Sequence, residues 1–219
     1  MKQSNIGIAV VGAGRIGTLR ARLAAKHPAV RFLAISDRDP ACARKLAEDA
    51  QADVHSGSND EVIDHPDVTA VIVSTPEQEH TQPILRALQR GLPVLVEKPI
   101  GFSLKEADTI LDTLHATKGD LRVGYSRRYK ECFLRAKEQM QHGRLGKVVG
   151  GTARVYNSRA QAFAILKRDA HATPVLDVLT YYVDLMCWFL EGNHPVEVVA
   201  RGQHGIFKQA GYEIGRAHV

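Results

Sequence analysis

Cysteine is scarce in this chain and badly placed for structural work. The three residues, Cys42, Cys132 and Cys187, are odd in number, far apart and include no Cys-x-x-Cys pair, which excludes a disulfide framework and a zinc knuckle. Buried thiols in a reducing compartment are expected. The ten histidines contain no His-x-x-x-His spacing and no tight cluster with cysteine, so no metal site is expected. A Gly-x-Ser-x-Gly elbow and a Walker sequence are both missing, which removes the usual signatures of a hydrolytic serine and of phosphoryl transfer. No apolar run approaches the roughly 20 residues of a membrane span, and the N-terminus has no signal-peptide pattern. The cytoplasm is the expected location, with no membrane partner. Nor is there a basic block: the formal charge is +5, but lysine and arginine are scattered along the sequence. A solvated basic surface that attracts an anionic cofactor or substrate is expected, and no nucleic-acid partner.

What is present fits a globular chain. With 219 residues, 44% of them apolar and 24% charged, it can hold one large domain, or one domain and part of another. Its most informative stretch is Val10-Val11-Gly12-Ala13-Gly14-Arg15-Ile16-Gly17. The apolar run Ile6 to Val11 before it suits a strand buried on both faces, and Arg15 to Lys26 after it has helical spacing at Ile16, Leu19 and Leu23. In this setting the first glycine makes a tight turn, the second admits a pyrophosphate to the backbone, and the third lets helix pack closely on strand. The anion then meets the helix N-terminus, beside Arg15 and Ile16. A second apolar run, Arg31 to Ser36, ends at Asp37, 20 residues after Gly17; an acid there accepts hydrogen bonds from the adenosine ribose. Asp37 repels a 2′-phosphate, whereas Arg38 either stacks on adenine or meets that phosphate, so NAD is the expected cofactor and NADP the alternative.

The rest of the first half continues the alternation. Pro40 to Ala50 reads as a helix, Ala70 to Ser74 as a strand ending at Thr75-Pro76, Thr81 to Arg90 as a helix, Val94 to Val96 as a strand, Ser103 to Thr117 as a helix capped by Ser103 and Glu106, and Arg122 to Tyr125 as a strand. This order predicts an α/β fold with a doubly wound parallel sheet of Rossmann type, its ligand beyond the strand C-termini near Thr75, Pro76, Glu97 and Lys98. His80 is expected at a helix N-terminus near the cofactor. Beyond this, Glu131 to His142 reads as a helix, Val148 to Tyr156 as a half-buried strand, Pro174 to Leu190 as a long helix and Pro195 to Ala200 as a further strand. The expected domains are residues 1–125, dinucleotide-binding, and 126–219, an incomplete α/β domain with an open-faced sheet. That second region has too little sheet to cover its own helix, and a truncated chain is expected.

Glu97-Lys98-Pro99 at a strand end, after the glycine turn and Thr75-Pro76, resembles the Gfo/Idh/MocA family of NAD(P)-dependent oxidoreductases. The resemblance extends over Asp37, the link Gly143-Arg144-Leu145-Gly146 and Asp177-x-x-x-Tyr181-x-x-Asp184. It implies a substrate-binding second domain that also forms a homo-oligomer interface. It also implies a catalytic set of Lys98, Asp177 and the residue one turn later, usually histidine but here Tyr181, as in some relatives. The activity it implies is hydride transfer between NAD(P) and a hydroxyl or carbonyl of a sugar, cyclitol or other polyol. Reduction of a non-sugar carbonyl or imine is one alternative, and a non-catalytic dinucleotide sensor is another.

Such a reaction needs a group to take the hydroxyl proton as hydride leaves. Tyr181 is the candidate: a free phenol titrates at about pH 10, and a nearby ammonium such as Lys98 favours its phenolate. Lys98 is also expected to stabilise developing alkoxide charge, and Asp177 to orient substrate or lysine. Arg127, Tyr156, Asn157, Arg159 and Lys167 lie in segments expected to border the cleft, where the basic members suit a carboxylate or phosphate.

Overall fold

In a computed structural model, residues 6–168, 175–201 and 205–211 are described. The chain divides into two compact units, Met1–Gly124 and Tyr125–Val219.

The first unit is built on six strands: β1 Ile6–Val11, β2 Val30–Ser36, β3 Val54–Ser56, β4 Ala70–Val73, β5 Val94–Val96 and β6 Leu121–Val123. All pair in parallel, in the order β3-β2-β1-β4-β5-β6. Parallel neighbours cannot be joined by hairpins, so helices form the connections: α1 Arg15–Lys26, α2 Pro40–Ala50, α3 Asn59–Ile63, α4 Thr81–Gln89 and α5 Leu104–Thr117. This is the doubly wound fold expected from the alternating pattern. Strand order reverses between β1 and β4, and in such sheets ligands lie at the C-terminal ends of the strands where it does so. β3 and α3 were not expected: three residues with one valine, and a five-residue helix, are too short to show a period.

Strand alternation divides the core into two layers. Ala9, Val11, Val71, Val73, Val94 and Val96 face one side and pack with Val62, Ile84, Leu88 and Ile110 of the helices; Val10, Leu33 and Ile35 face the other with Ala21, Ala24, Leu46 and Ala47. On α1 the apolar face differs from the leucine stripe expected. Gly17, Ala21 and Ala24 are buried, while Leu19 and Leu23 are 51% and 55% exposed. The helix lies so close to the sheet that only small residues fit beneath it. A Cβ on Gly17 would stand 1.8 Å from the Gly12 carbonyl oxygen.

The start of α5 carries a full capping box. The Ser103 hydroxyl accepts from the Glu106 amide at 3.2 Å, and the Glu106 carboxylate accepts from the amides of Ser103 and Phe102 at 2.8 and 2.7 Å. Ser103→Ala leaves helix amides unsatisfied and is expected to destabilise the chain by about 1 kcal/mol, read as a lower urea midpoint at unchanged slope.

Among the described residues, the second unit is helical: α6 Glu131–Gln141, α7 Arg159–Arg168, a π-helical turn Val175–Leu179, α8 Thr180–Phe189 and α9 Gly205–Gln209. A 3₁₀ turn, Ser126–Tyr129, precedes α6. Gly143 and Gly146, with φ of +69° and +64°, turn the chain away after α6. The strands expected at Val148–Tyr156 and Pro195–Ala200 are not formed. Val149, Tyr156 and Val196 are 93%, 86% and 99% exposed, and no strand pairs with either segment among the described residues. An alternating pattern makes a strand only where a neighbouring edge accepts its hydrogen bonds. α7 spans residues to which the sequence pattern assigned no element. Of the long helix expected from Pro174, residue 174 lies outside the described residues and the first five that follow are π-helical. The three cysteines are exposed, contrary to expectation.

Candidate functional site

Strand register sets the site. Val11 pairs with Ser36 and Val73, and Val73 pairs with Val96, so Gly12, Asp37, Ser74 and Glu97 emerge level with one another at the C-terminal edge. Each chain is held there by one more ladder bond: Gly12 N–H to Ser36 O at 2.8 Å, Ser74 N–H to Val11 O at 2.8 Å and Glu97 N–H to Val73 O at 2.9 Å.

The three glycines of the turn meet different surroundings. Gly12 has φ +98°, and a Cβ there would stand 2.7 Å from Ser74 O; Gly17 is closed by Gly12 as described; above Gly14 nothing lies within 4 Å. Gly14 is the N-cap of α1 and has no side chain to cap its first amides, which leaves free N–H groups at the positive end of the helix beside Arg15 and Ile16. That open cradle fits a dinucleotide pyrophosphate. Nearby, the hydroxyls of Ser74 and Thr75 are buried without a hydrogen-bond partner among the described residues, a state that buried polar groups rarely keep unless a ligand or water completes them.

Asp37 sits at the end of β2 as expected. One carboxylate oxygen accepts from Ala13 N–H of the glycine turn at 2.7 Å and the other from Asp39 N–H at 2.9 Å, so acid and turn are fixed together. The Arg38 guanidinium pairs with Glu79 at 2.7 Å, a partner 41 residues away that no local pattern reveals.

Two residues expected to touch cofactor are engaged by protein. The Glu97 carboxylate, 14% exposed, is held by Arg20 of α1 at 2.6 and 2.8 Å. His80 does stand at the start of α4, but it is 1% exposed and its ring nitrogens face the carbonyl oxygens of Pro99, at 2.9 Å, and Thr75, at 3.0 Å. Its ring is turned inward, toward those two carbonyls. Lys98 and Pro76 lie at the same edge, Lys98 half-buried.

In the second unit, Asp177 falls in the π turn and Tyr181 in the first turn of α8; π turns are frequent at functional sites. The Arg127 guanidinium lies over the rings of Tyr181 and Tyr182, 5.0 and 4.7 Å from their centroids. Its Nε is buried without a hydrogen-bond partner among the described residues. Tyr125 meets Tyr181 edge-on at 6.3 Å between centroids. Burial, and then the Asp184 carboxylate, push the Tyr125 phenol above its ordinary range. Asp184, 7% exposed, takes both arms of Arg128, which fixes the turn bearing Arg127 onto α8. Tyr156 and Asn157 lie in irregular chain, and Arg159 and Lys167 are exposed on α7. Eight residues apart, these last two are separated by about 12 Å of helix rise.

Residues 6–125 match the model of an oxidoreductase family with an NAD-binding Rossmann fold, and residues 133–213 match the GFO/IDH/MocA C-terminal domain. An inositol 2-dehydrogenase of Rhizobium meliloti (strain 1021) is 29% identical over 87% of this chain and 56% of its own length. The rhizopine catabolism protein MocA of Rhizobium meliloti is 30% identical over 86% of this chain and 58% of its own length. Among solved structures, scyllo-inositol dehydrogenase from Lactobacillus casei with bound NAD(H) and scyllo-inositol superposes with a TM-score of 0.74 at 24% identity, over 84% of this chain and 56% of that one. The chain therefore spans a little over half the length of these proteins.

Proposed function

Because the chain belongs to the Gfo/Idh/MocA family of oxidoreductases, we propose that it binds NAD and takes part in oxidising a secondary hydroxyl of a cyclitol or related polyol, or in the reverse reduction. The supporting observation is the open cradle above Gly14, with Asp37 locked to the same turn by the Ala13 amide. Names of the relatives, inositol 2-dehydrogenase among them, support the substrate class.

NAD, when bound, supplies the hydride acceptor. The chain's own residues do the rest. Gly12 and Gly14 keep side chains away from the pyrophosphate, α1 offers its N-terminal amides, and Ser74 and Thr75 supply hydroxyls at the strand edge. Asp37 selects NAD over NADP by repelling a 2′-phosphate. Glu79 reinforces that choice, since it occupies the Arg38 guanidinium, which would otherwise meet the phosphate. Lys98 hydrogen-bonds the substrate oxygen and stabilises alkoxide charge as it develops. Tyr181 takes the hydroxyl proton, with the Arg127 cation against its ring, and Asp177 orients the substrate.

Two measurements test this. Titration with NADH should quench or shift nicotinamide fluorescence, and a panel of inositols, other polyols, their ketones and imines should show nicotinamide absorbance change with the polyols or their ketones and not with the imines. Binding without any turnover would favour a sensor, and turnover of imines alone a reductase. Tyr181→Phe retains the ring and loses the proton carrier, so turnover should fall by about 10²-fold or more; unchanged activity would reject Tyr181 as the base.

A further inference from the structure

We propose that His80 is a positioning residue for Lys98: by gripping the carbonyl of the residue after that lysine, its buried ring fixes the lysine at the strand edge and ties it to the Thr75 loop. This rests on the role given to Lys98 above. Lys98 stands between two anchored neighbours. On one side Glu97 is held through its N–H by Val73 O at 2.9 Å and through its carboxylate by Arg20. On the other, Pro99 has no N–H to give, so its carbonyl is its only main-chain hydrogen-bonding group, and that oxygen lies 2.9 Å from His80 Nδ1.

The post that holds it is rigid. His80 accepts the Ile84 amide through its own carbonyl at 3.2 Å, and α4 buries Pro83, Ile84, Ala87 and Leu88 in the core. Its Nε2 lies 3.0 Å from Thr75 O. Carbonyl oxygens only accept, so each tie is carried by a ring N–H. With hydrogen on both nitrogens the ring holds both segments, and with one it holds one and rests against the other. Its two ring nitrogens thus span partners 19 and five residues away along the chain.

The test compares the whole chain with His80→Leu, which fills space without donors, and His80→Asn, which has a donor but is too short to reach both oxygens. Without cofactor, brief acylation followed by mass spectrometry reads Lys98 against the exposed Lys26 and Lys45 as internal references. Both variants should label Lys98 several-fold faster than wild type. In polyol turnover, kcat should fall by about 10²-fold, the scale of a misplacement of about 1 Å. A lowered melting temperature with wild-type labelling at Lys98 overturns the proposal, as does unchanged kcat in a folded variant. If His80→Leu fails to fold, His80→Asn decides. A wild-type chain that binds no dinucleotide refutes the proposed function instead, and the labelling comparison still stands.

Discussion

Lys98→Ala is expected to lower turnover by about 10²–10⁴-fold while leaving NADH affinity close to wild type. In the proposed function the dinucleotide's principal contacts are assigned elsewhere along the edge: the pyrophosphate to the Gly14 cradle and α1, the adenosine ribose to Asp37. Lys98 is assigned to the reacting oxygen, where charge appears only as the bond to hydrogen breaks. Loss of such an interaction lowers kcat and kcat/KM together and leaves ground-state binding alone. Steady-state kinetics beside a fluorescence titration separates the two. Parallel loss of affinity and rate would make Lys98 a cofactor ligand rather than a catalytic group.

The glycine turn carries the second large effect, and its second and third glycines are expected to fail differently. At Gly17 a Cβ would meet the Gly12 carbonyl oxygen at 1.8 Å. Since that oxygen is backbone and a Cβ is fixed rigidly on its Cα, relief requires α1 to move away from the turn. Gly17→Ala should therefore cost about 1–3 kcal/mol of stability, as overpacking does, and displace the amides that the dinucleotide needs. At Gly14 the space is open and the backbone is extended at φ −67° and ψ −173°, a conformation alanine adopts freely. Gly14→Ala should leave the urea midpoint nearly unchanged, yet lower NADH affinity by about tenfold or more, equivalent to ~1.4 kcal/mol, because the new methyl occupies the cradle. Equal affinity for wild type and Gly14→Ala would show that no phosphate approaches that amide.

The glycines, Asp37, the capping box and the strand-helix alternation were legible because each follows from interactions within a few residues of sequence, or from a period that one element imposes on itself. Ser103 with Glu106 is such a case: cap and partner are three residues apart. The leucines of α1 show where that reading stops. Their spacing is helical, but the buried face went to Gly17, Ala21 and Ala24, since the distance between helix and sheet is a property of two elements together. Arg20 with Glu97, Arg38 with Glu79 and His80 with Pro99 were illegible for the same reason, their partners being 77, 41 and 19 residues apart.

The strand patterns of the second unit make the contrast sharpest. Val148–Tyr156 and Pro195–Ala200 have the alternation or apolar content of strands, and neither is one. A helix closes its hydrogen bonds within itself, whereas a strand needs another segment's edge. The sequence alone thus determined where the four longer helices of the first unit lie, where its turn must be glycine and which acid ends β2. The tertiary structure decided which strands exist, which face of α1 is buried and how His80 and Glu97 are employed, because all of these depend on contacts between segments distant along the chain.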